Sequence, residues 1–420
     1  MIQFNAYILI TAASVLIILS YFFSVISRKT NIPSVLMLLV VGILIQQFFE
    51  LSEIPNLNLF PILEVFGIIG LIMIVLEASL DLELSKEKMP LIIKSFFVSL
   101  VSLFVTSFAV ASIFIWLLDA DLTTSLIYAI PLSIMSSAII IPSVNNLSKS
   151  KKEFMIYEST LSDILGIMFF YLLIQSAEAT TVAEVTTSVL INIGLTIVVS
   201  FIASYGLVYV FHKLNSDIRL FLLIAVLILM YAVGKMFHLS SLLIILAFGL
   251  TLNNRRLFIR GKFKKYINDD SLDNVYSQLR LVTIESSFIV RTFFFVIFGM
   301  TIVIQSLINL KVILISLLIL IVIYGIRWLI LRLFLKQNFI LEWLLAPRGL
   351  ITVLLFFNIP EDFLVAEFDS GILLFVIIIS SILMAIGLIK FNDTKKEVKP
   401  TPFESEKPSN KIEPLFVEGD

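Results

Sequence analysis

Long apolar segments follow one another along almost the whole chain, separated by short polar connections. Most of them place Leu, Ile, Val and Phe at consecutive rather than alternating positions, which predicts helices and argues against a β-barrel. A hydrocarbon core of ~30 Å requires about 20 apolar residues per helix. The candidate segments are 6–27, 32–50, 59–80, 91–118, 122–146, 153–176, 185–212, 217–234, 236–253, 280–306, 311–335, 340–358 and 368–390. The pattern predicts an all-α polytopic membrane protein with about 13 transmembrane helices.

The overall composition supports this fold class. The chain has 420 residues, of which 59% are hydrophobic and 15% charged, and its mean hydropathy is +1.05. Soluble domains carry about 25% charged residues, so a cytosolic enzyme, a nucleic-acid binder and a secreted disulfide scaffold are excluded. The chain has no cysteine, which excludes a disulfide framework, a thiolate metal site and an iron–sulfur cluster.

The charges between the segments predict how the chain is oriented in the membrane. Alternate connections are basic: Arg28, Lys29; Lys86, Lys88, Lys94; Lys149, Lys151, Lys152; Lys213, Arg219; Arg255, Arg256, Arg260, Lys262, Lys264, Lys265; Arg332, Lys336; and Lys390, Lys395, Lys396, Lys399. The other connections hold only Lys235 and Lys311, and two of them carry the acidic pairs Asp119, Asp121 and Glu361, Asp362. Lys and Arg concentrate on the cytoplasmic side. We therefore expect an odd number of spans in a bacterial-type inner (plasma) membrane, with the N-terminus outside and the C-terminus cytoplasmic.

Two parts of the chain differ from this pattern. Residues 391–420 are polar and rich in proline, so we expect residues 1–390 to form one transmembrane domain followed by a disordered cytoplasmic tail. Segment 254–279 is basic and fits either a solvated connector or a regulatory element. The first apolar segment has no basic residues before it and no small-residue cleavage site after it, so we expect a retained helix rather than a signal peptide.

Ionisable side chains inside apolar segments are costly and point to function. Those well inside a segment are Glu77, Glu158, Asp163, Glu285, Arg291, Arg327 and Arg348. Four others lie near segment ends, where an interfacial position is expected: Glu64, Glu342, His212 and His238. Two isolated histidines make a histidine-based metal site improbable.

The densest group of such residues is 158–163, with the sequence ESTLSD. On a helix, Ser159 and Asp163 share one face, and Glu158 and Ser162 share the neighbouring face. The first face offers a carboxylate and a hydroxyl, which are hard oxygen ligands suited to a small cation. The Glu158 carboxylate on the other face needs a cationic partner to stay ionised, and either Arg327 or Arg348 could provide it. A polar contact between helices, without ion binding, is the alternative interpretation.

Two segments carry signals of a broken helix. Pro131 and Pro142 flank Ser136 and Ser137, and each proline removes a backbone donor. A second candidate break is the sequence APRG at 346–349. Non-helical backbone at membrane depth is tolerated where it lines protein or water. Interrupted helices in two distant parts of the chain suggest a transporter built from repeats with a midplane site, although either proline could instead produce an ordinary kink.

At this point the residues resemble the monovalent cation:proton antiporter family, in particular its sodium/proton exchanger (NhaP/NHE-like) branch. NIPSVLMLLVVG at 31–42 is similar to the family's IPxxLxxLxxGIL, and VLEASLDL at 75–82 is similar to FEAGLxL. ESTLSD at 158–163 is similar to ESxxND, RTFFFVIFG at 291–299 to FxFxxxG, and APRG at 346–349 to GxRG. Each motif alone is weak. The five motifs together, in the family's order, carry the resemblance over roughly residues 6–390.

The resemblance implies an inverted-repeat antiporter fold with two broken crossing helices, and a role for each matching residue. Asp163 would bind the cation or the proton, with oxygens from Ser159 and Ser136 and a second carboxylate, Glu77, nearby. A structural ion pair would join Glu158 and Arg327. The supporting charges would be Arg348, which would offset carbonyl dipoles at the second break, together with Arg291 and Glu285.

This sequence departs from the family pattern at two positions beside the expected site. Ser162 stands where the exchanger branch has Asn and the electrogenic branch has Asp, and Ser137 stands where many members have Asp. Both serines remain candidate ligands. Since Asp163 has no acidic neighbour, we expect electroneutral exchange of one proton for one cation, while the identity of the cation stays open.

The function expected from the sequence is exchange of a monovalent cation, Na⁺ or Li⁺, for a proton by alternating access. The alternatives are a K⁺/H⁺ antiporter, a symporter on a related fold, and a channel or sensor that does not exchange ions. A membrane enzyme is disfavoured because the chain has no HExxH or GxSxG motif. We expect a homodimer in the lipid bilayer, as in the family, with Na⁺, Li⁺ or K⁺ and H⁺ as substrates, no nucleic acid and no cofactor.

Overall fold

The computed structural model describes residues 6–30, 32–52, 60–144, 147–176, 194, 198–200, 202–206, 219–236, 241–258, 269–302, 308–335, 339–365 and 367–391. Every regular element in these ranges is helical, which confirms the predicted fold class. The first seven helices are α1 (Ala6–Thr30), α2 (Ser34–Leu51), α3 (Phe60–Asp81), α4 (Met89–Leu118), α5 (Leu122–Ser133), α6 (Ser137–Ser143) and α7 (Lys149–Ser176). They are followed by α8 (Arg219–Met236), α9 (Ser241–Asn253), α10 (Arg255–Phe258), α11 (Asp269–Met300), α12 (Leu310–Leu335), α13 (Ile340–Leu344), α14 (Leu350–Phe357) and α15 (Gly371–Lys390).

The apolar segments predicted from the sequence correspond closely to these helices. Within the described ranges, eight helical stretches are long and apolar enough to cross a membrane. The seventh predicted segment, 185–212, lies largely outside the described residues, so the count of 13 stays a prediction. The tail from 392 to 420 also lies outside them. Helix α11 begins 11 residues earlier than expected, at Asp269.

The first of two helical bundles is formed by α1, α2, α3, α8, α9 and α11. Helix α11 packs along both α2 and α3, and α9 packs on α3. The backbones of α2 and α11 come close at two glycines, because a Cβ at Gly42 would lie 2.8 Å from the Cα of Gly299. A 2.6 Å hydrogen bond between the hydroxyls of Ser20 and Thr292 ties α1 to the same helix.

The second bundle contains α4 to α7 and α12 to α15, and its centre is made of broken helices. Helix α4 packs on α5, α7 and α12, and α12 packs on α15. Asp121 caps the start of α5 by accepting hydrogen bonds from the N–H groups of Thr123 and Thr124. Every residue in 124–140 and in 344–355 is buried. These two segments therefore form the core around which the other helices pack.

The two breaks predicted from proline are present, and the first lies between Pro131 and Pro142, as predicted. Pro131 and Pro142 are both inside helices, and the non-helical backbone is Ile134–Ser136. The second break runs from 345 to 349, where it was predicted. Proline removes only its own N–H, so a helix tolerates it near an end. The extended backbone at Ile134–Ser136 is instead held by hydrogen bonds to distant residues, which the local sequence does not reveal.

The two bundles meet through few helices. Helix α14 contacts α5 of the second bundle and α3 of the first. The linker between α3 and α4 also joins the bundles, and both bundles hydrogen-bond to its first residues. From the first bundle, the amide Nδ2 of Asn254 donates to the carbonyl of Leu82 at 2.8 Å. From the second, the hydroxyl of Tyr157 donates to the carbonyl of Glu83 at 2.8 Å.

Candidate functional site

The two broken segments cross each other at the centre of the second bundle. The N–H of Ser136 donates to the carbonyl of Pro347 at 2.9 Å, which joins the two breaks directly. This approach requires a glycine at 349, because a Cβ there would lie 2.8 Å from Ser136 Oγ and 2.7 Å from Ile139 Cδ1. The crossing places the ends of four short helices around one point of the protein.

Arg348 covers the negative end of α5 at this crossing. Its Nε donates to the carbonyl of Leu132 at 2.9 Å, and its Nη2 donates to the carbonyl of Ser133 at 3.3 Å. The last carbonyls of a helix have no partner within it and carry the negative end of the dipole. The backbone N–H of Arg348 donates to Ser380 Oγ at 3.0 Å, so α15 also holds the residue. Arg348 is thus placed to offset carbonyl dipoles.

Asp163 lies on α7 against the start of α6. One carboxylate oxygen, Oδ2, accepts hydrogen bonds from the N–H of Ser137 at 3.1 Å and from the Ser137 hydroxyl. The other oxygen, Oδ1, is buried and has no hydrogen-bond partner among the described residues. Buried polar atoms are nearly always satisfied, so Oδ1 is free to accept a further hydrogen bond or to contact a ligand.

The hydroxyls of the other three serines predicted at the site differ in their hydrogen bonds. Ser162 Oγ accepts from the N–H of Met135 at 3.0 Å and so holds the first break. Ser159 is fully buried one helical turn before Asp163, and its hydroxyl donates to the carbonyl of Ile156 at 3.3 Å. Ser136 Oγ is buried without a partner within the described part of the chain. These hydroxyl and carboxylate oxygens are hard ligands of the kind that alkali cations take.

Glu158 and Arg327 form a buried ion pair between α7 and α12. Arg327 donates from Nη1 to Glu158 Oε1 at 2.6 Å and from Nη2 to Oε2 at 3.1 Å. The two side chains are 1% and 6% exposed. Arg327 also donates from Nη2 to the carbonyl of Glu342 at 2.7 Å, which ties the start of α13 to the pair. This carboxylate is therefore neutralised by a fixed charge and differs in kind from Asp163.

Three of the predicted charges, Glu77, Arg291 and Glu285, lie away from Asp163. They line a cavity of about 600 Å³ that is bounded by α1, α3 and α11 of the first bundle and by α6 and α7 of the second. The carboxylate of Glu77 faces the guanidinium of Arg291 at 3.6 Å, and the exposed Glu285 lies on the same wall as Arg291. Lys152 lines the cavity at the basic end of α7.

Sequence reasoning missed several contacts of this region. The ion pair between Asp81 and Arg280, 2.8 Å apart, continues the wall on which Glu77 and Arg291 lie. The spacing of Glu77 and Asp81, four residues apart on one helix face, could have indicated it. Glu342 was expected at the interface but is only 5% exposed. His212 and His238 lie outside the described residues, and so does the side chain of Glu64.

Comparisons with known proteins show the family and the fold of the chain. The family described as transmembrane sodium/hydrogen exchanger matches residues 14–390. The chain is similar to the structure of the sodium proton antiporter MjNhaP1 from Methanocaldococcus jannaschii at pH 8, with a TM-score of 0.69 and 20% identity over 90% of this chain and 97% of that one. An electron-microscopy structure of the same antiporter gives a TM-score of 0.65 and 18% identity over 92% and 95%. No curated protein sequence matches significantly. The match over nearly the whole chain shows that this protein belongs to the transmembrane sodium/hydrogen exchanger family, and it has the fold of the NhaP antiporters.

Proposed function

We propose that the protein exchanges one Na⁺ or Li⁺ for one proton, with Asp163 as the single site for which the two ions compete. The observation that carries the proposal is the state of the Asp163 carboxylate. One oxygen is held by both donors of Ser137, and the other is buried and open at the crossing of the two breaks. A site built for structure alone would satisfy both oxygens.

Burial of this carboxylate couples the two ion fluxes. A bare carboxylate buried away from water costs several kcal/mol, whereas a carboxylate that carries a proton or a cation is close to neutral. The loaded site therefore changes sides at much lower cost than the empty one. Each turnover then moves a cation in one direction and a proton in the other.

One-for-one exchange is supported by the partners of the other buried acids. The carboxylate of Glu158 is neutralised by Arg327, that of Glu77 faces Arg291, and that of Glu342 lies 3.9 Å from Lys151. Asp163 has no carboxylate neighbour at 137 or 162, where both residues are serine. With Asp163 as the one buried carboxylate that lacks a cationic partner in the described part of the chain, a membrane potential worth ~2.3 kcal/mol per charge per 100 mV does no net work on the cycle.

The arrangement of the bundles supports alternating access by movement of one bundle against the other. The second bundle carries Asp163 and both breaks. The linker 82–88 connects it to the first bundle, and the cavity near Glu77 lies between the two. The cavity is lined by Ile141, one helical turn after Ser137, and by Lys152 at the basic end of α7. We propose that this is the cytoplasmic side.

Side-chain contacts support the same orientation. Lys88 lies 3.5 Å from Glu153, so two of the basic connections share one end of the molecule. At the other end the N–H of Val365 donates to the hydroxyl of Tyr128 at 3.0 Å, which brings together the acidic connections before α5 and after α14. We propose an N-terminus outside and a C-terminus inside, in a plasma membrane. The apolar side chains exposed along α1 are open to lipid or to a second copy in a homodimer.

The test is a flux assay in proteoliposomes with an imposed proton gradient and an internal pH dye. Na⁺, Li⁺ and K⁺ are added in turn, with and without a clamped membrane potential. Wild type should respond to Na⁺ or Li⁺ independently of the potential, and Asp163→Asn should not respond. Asp119→Asn removes an exposed carboxylate at the end of α4 and should exchange like wild type.

The other results of this assay separate the alternatives. A response to K⁺ alone would replace the proposed cation but keep the mechanism. A response that follows the potential would overturn one-for-one exchange. Retained ion conduction in Asp163→Asn, without coupled proton movement, would favour a channel.

A further inference from the structure

The cavity between the bundles is lined by a cationic side chain, that of Arg291, which faces the carboxylate of Glu77. Glu77 Oε1 lies 3.6 Å from Arg291 Nη2, and both side chains line the cavity. Their side chains are 14% and 18% exposed, so water in the cavity reaches both. The pair lines the cavity, and Asp163 is not among the residues that line it.

The ion pair between Glu77 and Arg291 is longer and more exposed to water than the pair between Glu158 and Arg327, so it separates more easily. At 3.6 Å it exceeds the 2.7–2.9 Å of a direct charge-assisted hydrogen bond. Glu158 and Arg327, in contrast, are joined by two short bonds and excluded from water. Arg291 Nε donates to the carbonyl of Ser287 on its own helix. The guanidinium therefore keeps a hydrogen-bond partner on α11 when its contact with Glu77 breaks.

The position of the pair relates it to cation entry. The cavity is lined by Ile141 and Ile156, four residues after Ser137 and seven before Asp163. A helical rise of 1.5 Å per residue places its inner end about 6–10 Å short of the Asp163 carboxylate. The cavity that Glu77 lines therefore ends close to Asp163.

We propose that Arg291 is a built-in competitor of the transported cation for Glu77, and that it sets the apparent affinity for the cation on the cavity side. When the ion pair is formed, the Arg291 guanidinium neutralises the Glu77 carboxylate, and the cation does not bind there. When it opens, Glu77 offers an oxygen ligand that passes the cation inward. The apparent affinity is then the intrinsic affinity reduced by the fraction of time the pair is open. This inference rests on the proposed exchange function and names a residue that tunes it.

The test measures the cation KM of exchange on the cavity side for paired variants. Arg291→Gln removes the competitor, and a partly buried pair worth about 0.7–1.4 kcal/mol then corresponds to a KM about three- to tenfold lower, with kcat little changed. Arg291→Lys keeps the charge and should keep a KM near that of wild type. Glu77→Gln should raise KM, and adding Arg291→Gln to it should have no further effect.

Arg280→Gln is the matched control. Arg280 lies on the same helix and lines the same cavity, but it pairs with Asp81. Its removal should change KM less than twofold. An equal fall of KM in both arginine variants would overturn the proposal in favour of a general field in the cavity, and an unchanged KM in Arg291→Gln would also overturn it.

A binding measurement covers variants that do not transport. The cation concentration that gives half-maximal thermal stabilisation of the purified protein should fall three- to tenfold in Arg291→Gln, and no fall would contradict the proposal. Failure of the proposed function would look different, because wild type itself would then show no cation-driven proton movement.

Discussion

Replacing Arg327 by Met removes the positive charge from the buried pair with Glu158. The two side chains are 6% and 1% exposed, so water does not reach the carboxylate that is left behind. Breaking a buried pair from one side costs about 3–5 kcal/mol. Extrapolated to a domain of this size, each kcal/mol lowers the unfolding temperature by roughly 1–2 °C, so a fall of about 3–10 °C is expected.

The assay is thermal unfolding in detergent, followed by tryptophan fluorescence, for a double-mutant cycle. Arg327→Met and Glu158→Gln should each be strongly destabilised, and the double variant should be less destabilised than the sum because no charge is left unpaired. Recovery should be incomplete, since the carbonyl of Glu342 also loses its donor. If Arg327→Met unfolds at the wild-type temperature, or if the two effects simply add, the reasoning is wrong.

An exposed pair provides the comparison for this cycle. Lys88 and Glu83 are 2.7 Å apart, but their side chains are 27% and 63% exposed. The hydrogen bond to Glu83 raises the pKa of Lys88, so the pair stays charged during the assay. Lys88→Met should cost about 1 kcal/mol or less, and the unfolding temperature should hardly move.

Three further changes test the geometry around the breaks and the linker. Gly349→Ala puts a methyl group against Ser136 Oγ and should cut the exchange rate at least tenfold in proteoliposomes, whereas Gly325→Ala meets nothing within 4 Å and should be silent. Arg348→Met leaves the carbonyls at the end of α5 without donors and should cost about 1–3 kcal/mol in thermal unfolding, with partial rescue by Arg348→Lys. Asn254→Ala frees the linker, which should appear as faster hydrogen exchange of amides 82–88 with no change elsewhere in α3.

The helical segments could be predicted because each helix hydrogen-bonds its own backbone groups within the segment. A run of consecutive apolar residues in the sequence therefore gives the length of the helix directly. The second break was also predictable, since proline and glycine stand together at 346–349. The first break was located only approximately. Its extended backbone depends on a hydrogen bond from Met135 to Ser162, 27 residues away, and on another from Ser136 to Pro347. Such partners cannot be read from a local pattern.

In the candidate site, too, some features could be predicted from the local sequence and others depend on distant residues. Periodicity placed Ser159 and Asp163 on one helix face, and family motifs suggested the partner of Glu158. Nothing in the local sequence indicated that Ser137 supplies both donors to Asp163, because that contact depends on where α6 begins. The motif that contains Glu77 suggested a second carboxylate at the site. Its pairing with Arg291, more than two hundred positions later in the chain, follows only from the packing of α3 on α11.

The central claim is that proton and cation share one carboxylate, and proton release on cation binding tests it most directly. Purified protein in weakly buffered detergent solution is titrated with Na⁺ or Li⁺ over a range of pH, while a pH dye records released protons and thermal stabilisation records bound cation. We expect release to approach one proton per cation at the pH of maximal release, and to vanish in Asp163→Asn. Cation binding without proton release at every pH, or unchanged release in Asp163→Asn, would contradict a shared site at this residue.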